Sequence, residues 1–196
     1  VWTFEEALTL TCEAGQPLSR SVVARLSGPG RAEMGRFGEC WRAMPVERRR
    51  ELIAMMAEMA EADFELDFNA IFRLALQDKD PAVRERAVEG LWEDDNPVLI
   101  DPLIRLLLED PEPAVRAQAA ISLGRFALMA ELGDVPEGKA ARLRAALLDV
   151  IKNREEPVEV RRRAVEAVAY LSDAPVRRIV ENAYADADPR MRLSAV

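Results

Sequence analysis

Residues 78–91 read DKDPAVRERAVEGL, and the pattern returns three times: DPEPAVRAQAAISL at 110–123, EEPVEVRRRAVEAV at 155–168 and DADPRMRLSAV at 186–196. The arginine after the small hydrophobic residue anchors each copy: Arg84, Arg116, Arg161 and Arg192. Six positions upstream stands an acid: Asp78, Asp110, Glu155 and Asp186. One position upstream lies Val83, Val115, Val160 or Met191, and three positions downstream an alanine: Ala87, Ala119, Ala164 and Ala195. Val88, Ala120, Val165 and Val196 follow, then Leu91, Leu123 and Val168 where the chain continues. These offsets place the apolar side chains on one face of a helix. The repeated alanine allows a neighbouring helix to come close. Pro81, Pro113, Pro157 and Pro189 stand three or four residues before the anchor, where a first helical turn tolerates a missing N–H. Asp80 and Asp188 suit the N-cap; Glu112 and Glu156 are weaker caps that still favour the positive end of the helix dipole.

Working outward, the anchors are 32, 45 and 31 residues apart. A period of that size with two helices per period is the signature of a helical solenoid. A first helix precedes each motif, because Ile71/Leu74, Leu103/Leu106 and Leu148/Ile151 recur at helical spacing. The spacing predicts first helices near 67–77, 98–109, 138–152 and 175–185, and second helices near 81–93, 113–132, 157–171 and 189–196. The longer interval before the third copy extends one second helix through Phe126, Leu128, Met129 and Leu132, and a loop follows at Gly133.

Residues 1–66 lack the motif but read as helical. Thr3 with Glu6 forms a capping box, helices fit 19–26, 31–42 and 45–61, and Gly28-Pro29-Gly30 is a turn. The expected organisation is a divergent N-terminal cap over 1–66, then repeats at 67–95, 96–133, 138–172 and an incomplete 174–196. The fold class is all-α: one continuous right-handed α-solenoid of about 11–12 helices. The chain does not begin with Met and stops inside its last predicted helix, which suggests a piece of a longer protein and leaves room for self-association through an uncapped last repeat.

The acid–x5–Arg pattern, with its proline and following alanine, resembles the HEAT repeat in its short bacterial form, the type also found in phycobilisome lyases. The resemblance covers about residues 66–196. Its weakest point is Glu155, where the loop before Arg161 is one residue longer. The tryptophan–glycine–tyrosine signature of tetratricopeptide repeats is absent, and armadillo repeats are the nearest alternative. The resemblance implies that Asp78, Arg84, Asp110, Arg116, Glu155, Arg161, Asp186 and Arg192 form a ladder between adjacent repeats. It also implies a protein-interaction scaffold, with no cofactor and no catalytic residue.

Composition narrows the functional classes. The 196 residues are 49% hydrophobic, 32% charged and 6% aromatic, with a net charge of −8. A negative balance weakens a nucleic-acid reading. Without histidine there is no imidazole base, no histidine triad and no His metal ligand. That argues against the iron-holding hydroxylases built on this kind of repeat. A DNA glycosylase or a bilin lyase on the same kind of repeat is the alternative enzyme reading. No apolar run approaches the ~20 residues of a membrane span, so the expected setting is the cytoplasm, and a bacterial one. Cys12 and Cys40 have no metal-ligand spacing and read as two packed thiols in a reducing compartment.

The run 63–69 alternates acids with Phe64, Leu66 and Phe68 and lacks the glycine of a calcium loop. Arg48-Arg49-Arg50 and Arg161-Arg162-Arg163, of which Arg161 already belongs to the ladder, read as solvated helix surface, since three consecutive residues diverge around a helix. Met55, Met56 and Met59 read as core, Trp2, Trp41 and Trp92 as core or rim, and Glu93-Asp94-Asp95 as a solvated loop. If second helices line the inner face of the stack, their outward positions are Arg86, Glu89 and Glu93, then Gln118, Ile121 and Arg125, then Arg163, Glu166 and Tyr170. That mixture reads as a protein-binding surface.

Overall fold

The computed structural model describes residues 2–13 and 15–195. Every regular element among them is helical, and the helices pack against their neighbours in the manner of an α-solenoid. The chain forms two compact units, Val1–Asp94 and Asp95–Val196.

The first unit holds α1 (Phe4–Cys12), α2 (Arg20–Val23) with a 3-10 turn at Ala24–Leu26, α3 (Arg31–Ala43), α4 (Val46–Ala62), α5 (Asn69–Ala75) and α6 (Pro81–Gly90). Its helices sort into two layers. α1 contacts α3 and α3 contacts α5, while α2 contacts α4 and α4 contacts α6. The second unit holds α7 (Ile100–Glu109), entered through a 3-10 turn at Pro97–Leu99, then α8 (Pro113–Glu131), α9 (Glu137–Lys152), α10 (Val158–Val168), α11 (Ala174–Tyr184) and α12 (Pro189–Leu193). Here α7 lies beside α9, and α8, α10 and α12 lie side by side. Odd-numbered helices in one layer and even-numbered helices in the other is what a stack of helix pairs requires.

The repeated offsets are the core. Val83, Val115 and Val160 are fully buried, as are Ala87, Ala119 and Ala164 and Leu91, Leu123 and Val168. Met191 serves the last repeat; Ala195 is half-buried, and Val196 lies outside the described residues. Local signals set the helix starts. The Asp80 carboxylate accepts from the Val83 N–H at 3.2 Å and Asp188 from the Arg190 N–H at 2.8 Å. Pro81, Pro113 and Pro189 open their helices, and Pro157 stands one position earlier, capping α10. Thr3 and Glu6 form the expected capping box. Gly133, at φ +85°, ends α8 in the left-handed conformation that favours glycine.

Three expectations are corrected. Cys12 and Cys40 are not two thiols but a disulfide, with Cα atoms 6.0 Å apart. The packing of α1 on α3 brings together residues that stand 28 apart in the chain. In the run Arg48-Arg49-Arg50 only Arg50 is solvated; Arg48 and Arg49 are turned into the fold. Arg48 is buried and donates from Nε to the Thr11 carbonyl, Arg49 donates to the Met44 carbonyl and to Asp78, and Arg50 pairs with Asp80. Consecutive positions do diverge around the helix, but each direction meets a partner. Asp94 is likewise buried, paired with Arg73, rather than in a solvated acidic loop.

Candidate interaction surface

The loops that join paired helices carry the acid–arginine motif. Arg84 donates from Nη1 to the main-chain carbonyls of Asp78 and Lys79, and Arg116 does the same to Asp110 and Pro111. Arg192 repeats this with Asp186 and Ala187. The anchor arginine thus clamps its own loop. The acid folds that loop from the other side: Asp78, Asp110 and Asp186 each accept the main-chain N–H two residues on. The same acids and arginines reach further. Asp78 accepts from Trp41 Nε1 at 2.7 Å and pairs with Arg49, both on the preceding helices. Arg116 donates from Nε to Glu156, forty residues on, at 2.7 Å. In the third repeat the longer loop moves the acid's place to Asn153, which accepts from the Glu155 N–H. Glu155 itself is exposed there, and Arg161 donates to the Ile151 carbonyl.

The second unit builds a cleft of about 400 Å³ between α8 and α10. Gly124 makes it possible. A Cβ at Gly124 would stand 3.3 Å from the Ala167 Cα, so the two helices meet there almost backbone to backbone. Around that floor stand Ile121 and Leu128 of α8, one helical turn to each side, and Tyr170 just beyond α10. All three are large, apolar and 42–52% exposed. Arg125 completes the α8 side, with its guanidinium carbon 4.7 Å from the ring centroid of buried Phe126.

Across the cleft the charges of α10 are matched. Arg163 pairs with Glu159 at 3.1 Å and Glu166 at 2.9 Å, and Arg162 pairs with the same two acids at 2.6 Å and 3.0 Å. The Ser194 hydroxyl, just past α12, donates to Glu166 at 2.6 Å. The Arg162 guanidinium, against the opposing effect of burial and with help from Arg163, holds the Glu159 carboxyl below the usual range. Charges balanced in this way leave Arg162 and Arg163 poorly suited to gripping a phosphate.

The sequence-derived surface residues are therefore not equivalent. Ile121, Arg125, Arg163, Glu166 and Tyr170 share the α8–α10 cleft. Arg86 and Glu89 pair with each other at 2.5 Å beside a separate cleft of the first unit, about 260 Å³ in volume, which Arg50 and Glu85 also line. Gln118 is half-buried, and Glu93 is exposed just past α6. Residues missed in the sequence include Gly124, Leu128 and Ala167. Leu128 was legible in principle, seven residues after Ile121 on the same face. Among the described residues no group of acids and cysteines is arranged to hold a metal ion, and no helix is long and apolar enough to cross a membrane.

Residues 69–150, from α5 into α9, match the family model for HEAT repeats. This stretch of the chain is made of HEAT repeats. HEAT repeats commonly serve as protein-interaction scaffolds. No curated protein matches the sequence. The matched stretch contains the first two motif-bearing helix pairs, and the HEAT arginine clamps of Arg84 and Arg116 fall within it.

Proposed function

We propose that this chain is a non-catalytic adaptor that binds a partner protein through the cleft between α8 and α10. One observation carries the reading: Ile121, Leu128 and Tyr170 are exposed together around the Gly124–Ala167 floor. An apolar patch with a balanced polar rim is how protein-binding surfaces are built. Apolar side chains of a partner segment would enter the cleft, and the paired arginines and acids of α10 would form its rim.

Charge reversal at Arg86, Arg125 and Arg163 is a poor test of this surface, since Arg86 and Arg163 already serve internal pairs. Ile121→Asp is cleaner. It places a charge at the mouth of the cleft without removing a core contact, because Ile121 is 43% exposed. With a captured partner in hand, Ile121→Asp should weaken binding at least about tenfold, as burying an unpaired charge in an apolar contact does. Unchanged affinity in the folded variant would refute the assignment.

The disulfide bears on location. Disulfides persist where the surroundings are oxidising, so Cys12–Cys40 supports work outside the reducing cytoplasm, in place of the cytoplasmic setting expected from sequence. The thiol content of the protein isolated from its own cells, with thiols blocked at lysis, decides between the two.

A further inference from the structure

We propose that the Cys12–Cys40 disulfide is a latch on α1, and that its reduction releases this first helix while the following helix pairs keep their fold. The other attachments of α1 are modest: Phe4 and Leu10 are partly buried, and just ahead of the helix the Trp2 carbonyl accepts from Arg25 Nε at 2.9 Å. It is nine residues long, too short to persist as a helix by itself. Only Ala7, Leu8 and Thr11 are buried along it, and of these Leu8 alone is a large apolar side chain. Its ion pair, Glu5 with Arg36, is half-exposed on both sides and contributes little. The Thr3–Glu6 capping box stabilises the helix but does not attach it to anything. The disulfide joins the last residue of α1 to α3 and closes a loop across a separation of 28 residues, which strongly restricts the open chain.

A second feature works against α1 once the bond is open. Arg48 of α4 is 8% exposed. Its Nε donates to the Thr11 carbonyl in the last turn of α1, its Nη1 donates to Glu51, and its Nη2 is buried with no hydrogen-bond partner among the described residues. A guanidinium held under a helix with an unmet donor is unfavourable. Departure of α1 returns it to water. The covalent bond therefore holds shut a contact that contains its own driving force for opening.

The chemistry requires a dithiol reductant, and both cysteines are half-buried rather than sealed in the core. A thiolate of the reductant attacks one sulfur of the pair. The S–S bond breaks, a mixed disulfide forms and the other cysteine leaves as thiolate. The reductant's second thiolate then displaces the first cysteine. Two electrons and two protons pass to Cys12 and Cys40, and the reductant departs as a disulfide.

Hydrogen exchange on the full chain, oxidised and then reduced with dithiothreitol, tests this. Reduction should accelerate exchange of the helical amides of residues 7–12 on the order of 100-fold and leave α4 to α10 within about threefold. The Cys12→Ser/Cys40→Ser chain should match the reduced state without reductant. Adding Arg48→Met to that chain should restore much of the protection of α1, since it removes the buried cation. Equal protection of α1 in both redox states would overturn the latch. So would loss of protection across the whole first unit, which would make the bond a general staple. So would an air-oxidised, denatured chain that titrates two free thiols before any reductant is added.

Discussion

Arg116 and Glu156 join across forty residues: Nε of the arginine donates to the carboxylate at 2.7 Å, and both side chains are nearly out of solvent, at 14% and 13% exposure. Arg116 also clamps the carbonyls of its own loop, so one guanidinium ties together two successive loops. Replacing it strands a shielded carboxylate and frees two carbonyls. Arg116→Ala should therefore cost about 1–3 kcal/mol in urea unfolding. Arg116→Lys should recover only part of this, because an ammonium cannot serve both loops in the geometry of a fork. A loss below about 0.5 kcal/mol for the alanine variant would show that the contact sets register without stabilising the fold.

Three glycines within helices should respond differently to alanine. A Cβ at Gly90 would lie 2.5 Å from the ring of fully buried Phe72, so Gly90→Ala should destabilise by about 1–3 kcal/mol. A Cβ at Gly138 meets nothing within 4 Å, so Gly138→Ala should stabilise by up to about 1 kcal/mol. Gly124→Ala faces the Ala167 backbone at 3.3 Å, and the helix-propensity gain should nearly offset the crowding. Thermal or urea unfolding of the three variants checks the order 90, 124, 138 from most to least destabilised.

The helix caps make stability depend on acid. Arg50 holds the Asp80 carboxyl below its usual range, with burial opposing and the Val83 N–H assisting. The Arg190 side chain and N–H bring Asp188 down to about 2. A carboxyl depressed in the folded state stabilises that state fully above its unfolded value, about 3.9, and the contribution fades as pH falls through the folded value. Asp80→Asn keeps a capping oxygen but loses the charge. The gap in urea midpoint between the native chain and this variant should be constant above about pH 5 and narrow steadily below about pH 4. A gap that widens on acidification would mean that the pair with Arg50 does not stabilise the fold.

Much of the fold was legible because the repeat writes the same geometry four times. The apolar offsets from Arg84, Arg116 and Arg161 all fall in the core, and the caps at Thr3, Asp80 and Asp188 stand where side-chain chemistry places them. Helix ends shifted by a few residues: α6 stops at Gly90 and α12 at Leu193. What was not legible depends on partners distant in sequence. The disulfide needs α1 against α3. The burial of Arg48 needs the end of α1, and that of Asp94 needs Arg73. The cleft depends on Gly124 meeting Ala167, and a lone helical glycine does not announce what it faces. In the third repeat, the longer loop hid the exchange of Glu155 for Asn153, since the spacing was counted from the arginine and not from the turn.

Site-specific photocrosslinking reads out directly whether the α8–α10 cleft holds a partner protein. A photoreactive phenylalanine analogue is placed at position 128, on the wall of the α8–α10 cleft, and in a second chain at position 93, exposed just past α6. Both chains are irradiated in lysate of the source organism and the adducts identified by mass spectrometry. One protein adduct is expected at 128, absent at 93 and lost when Ile121→Asp is added. The same adducts at both positions, or an adduct at 128 that survives Ile121→Asp, would contradict binding in the cleft.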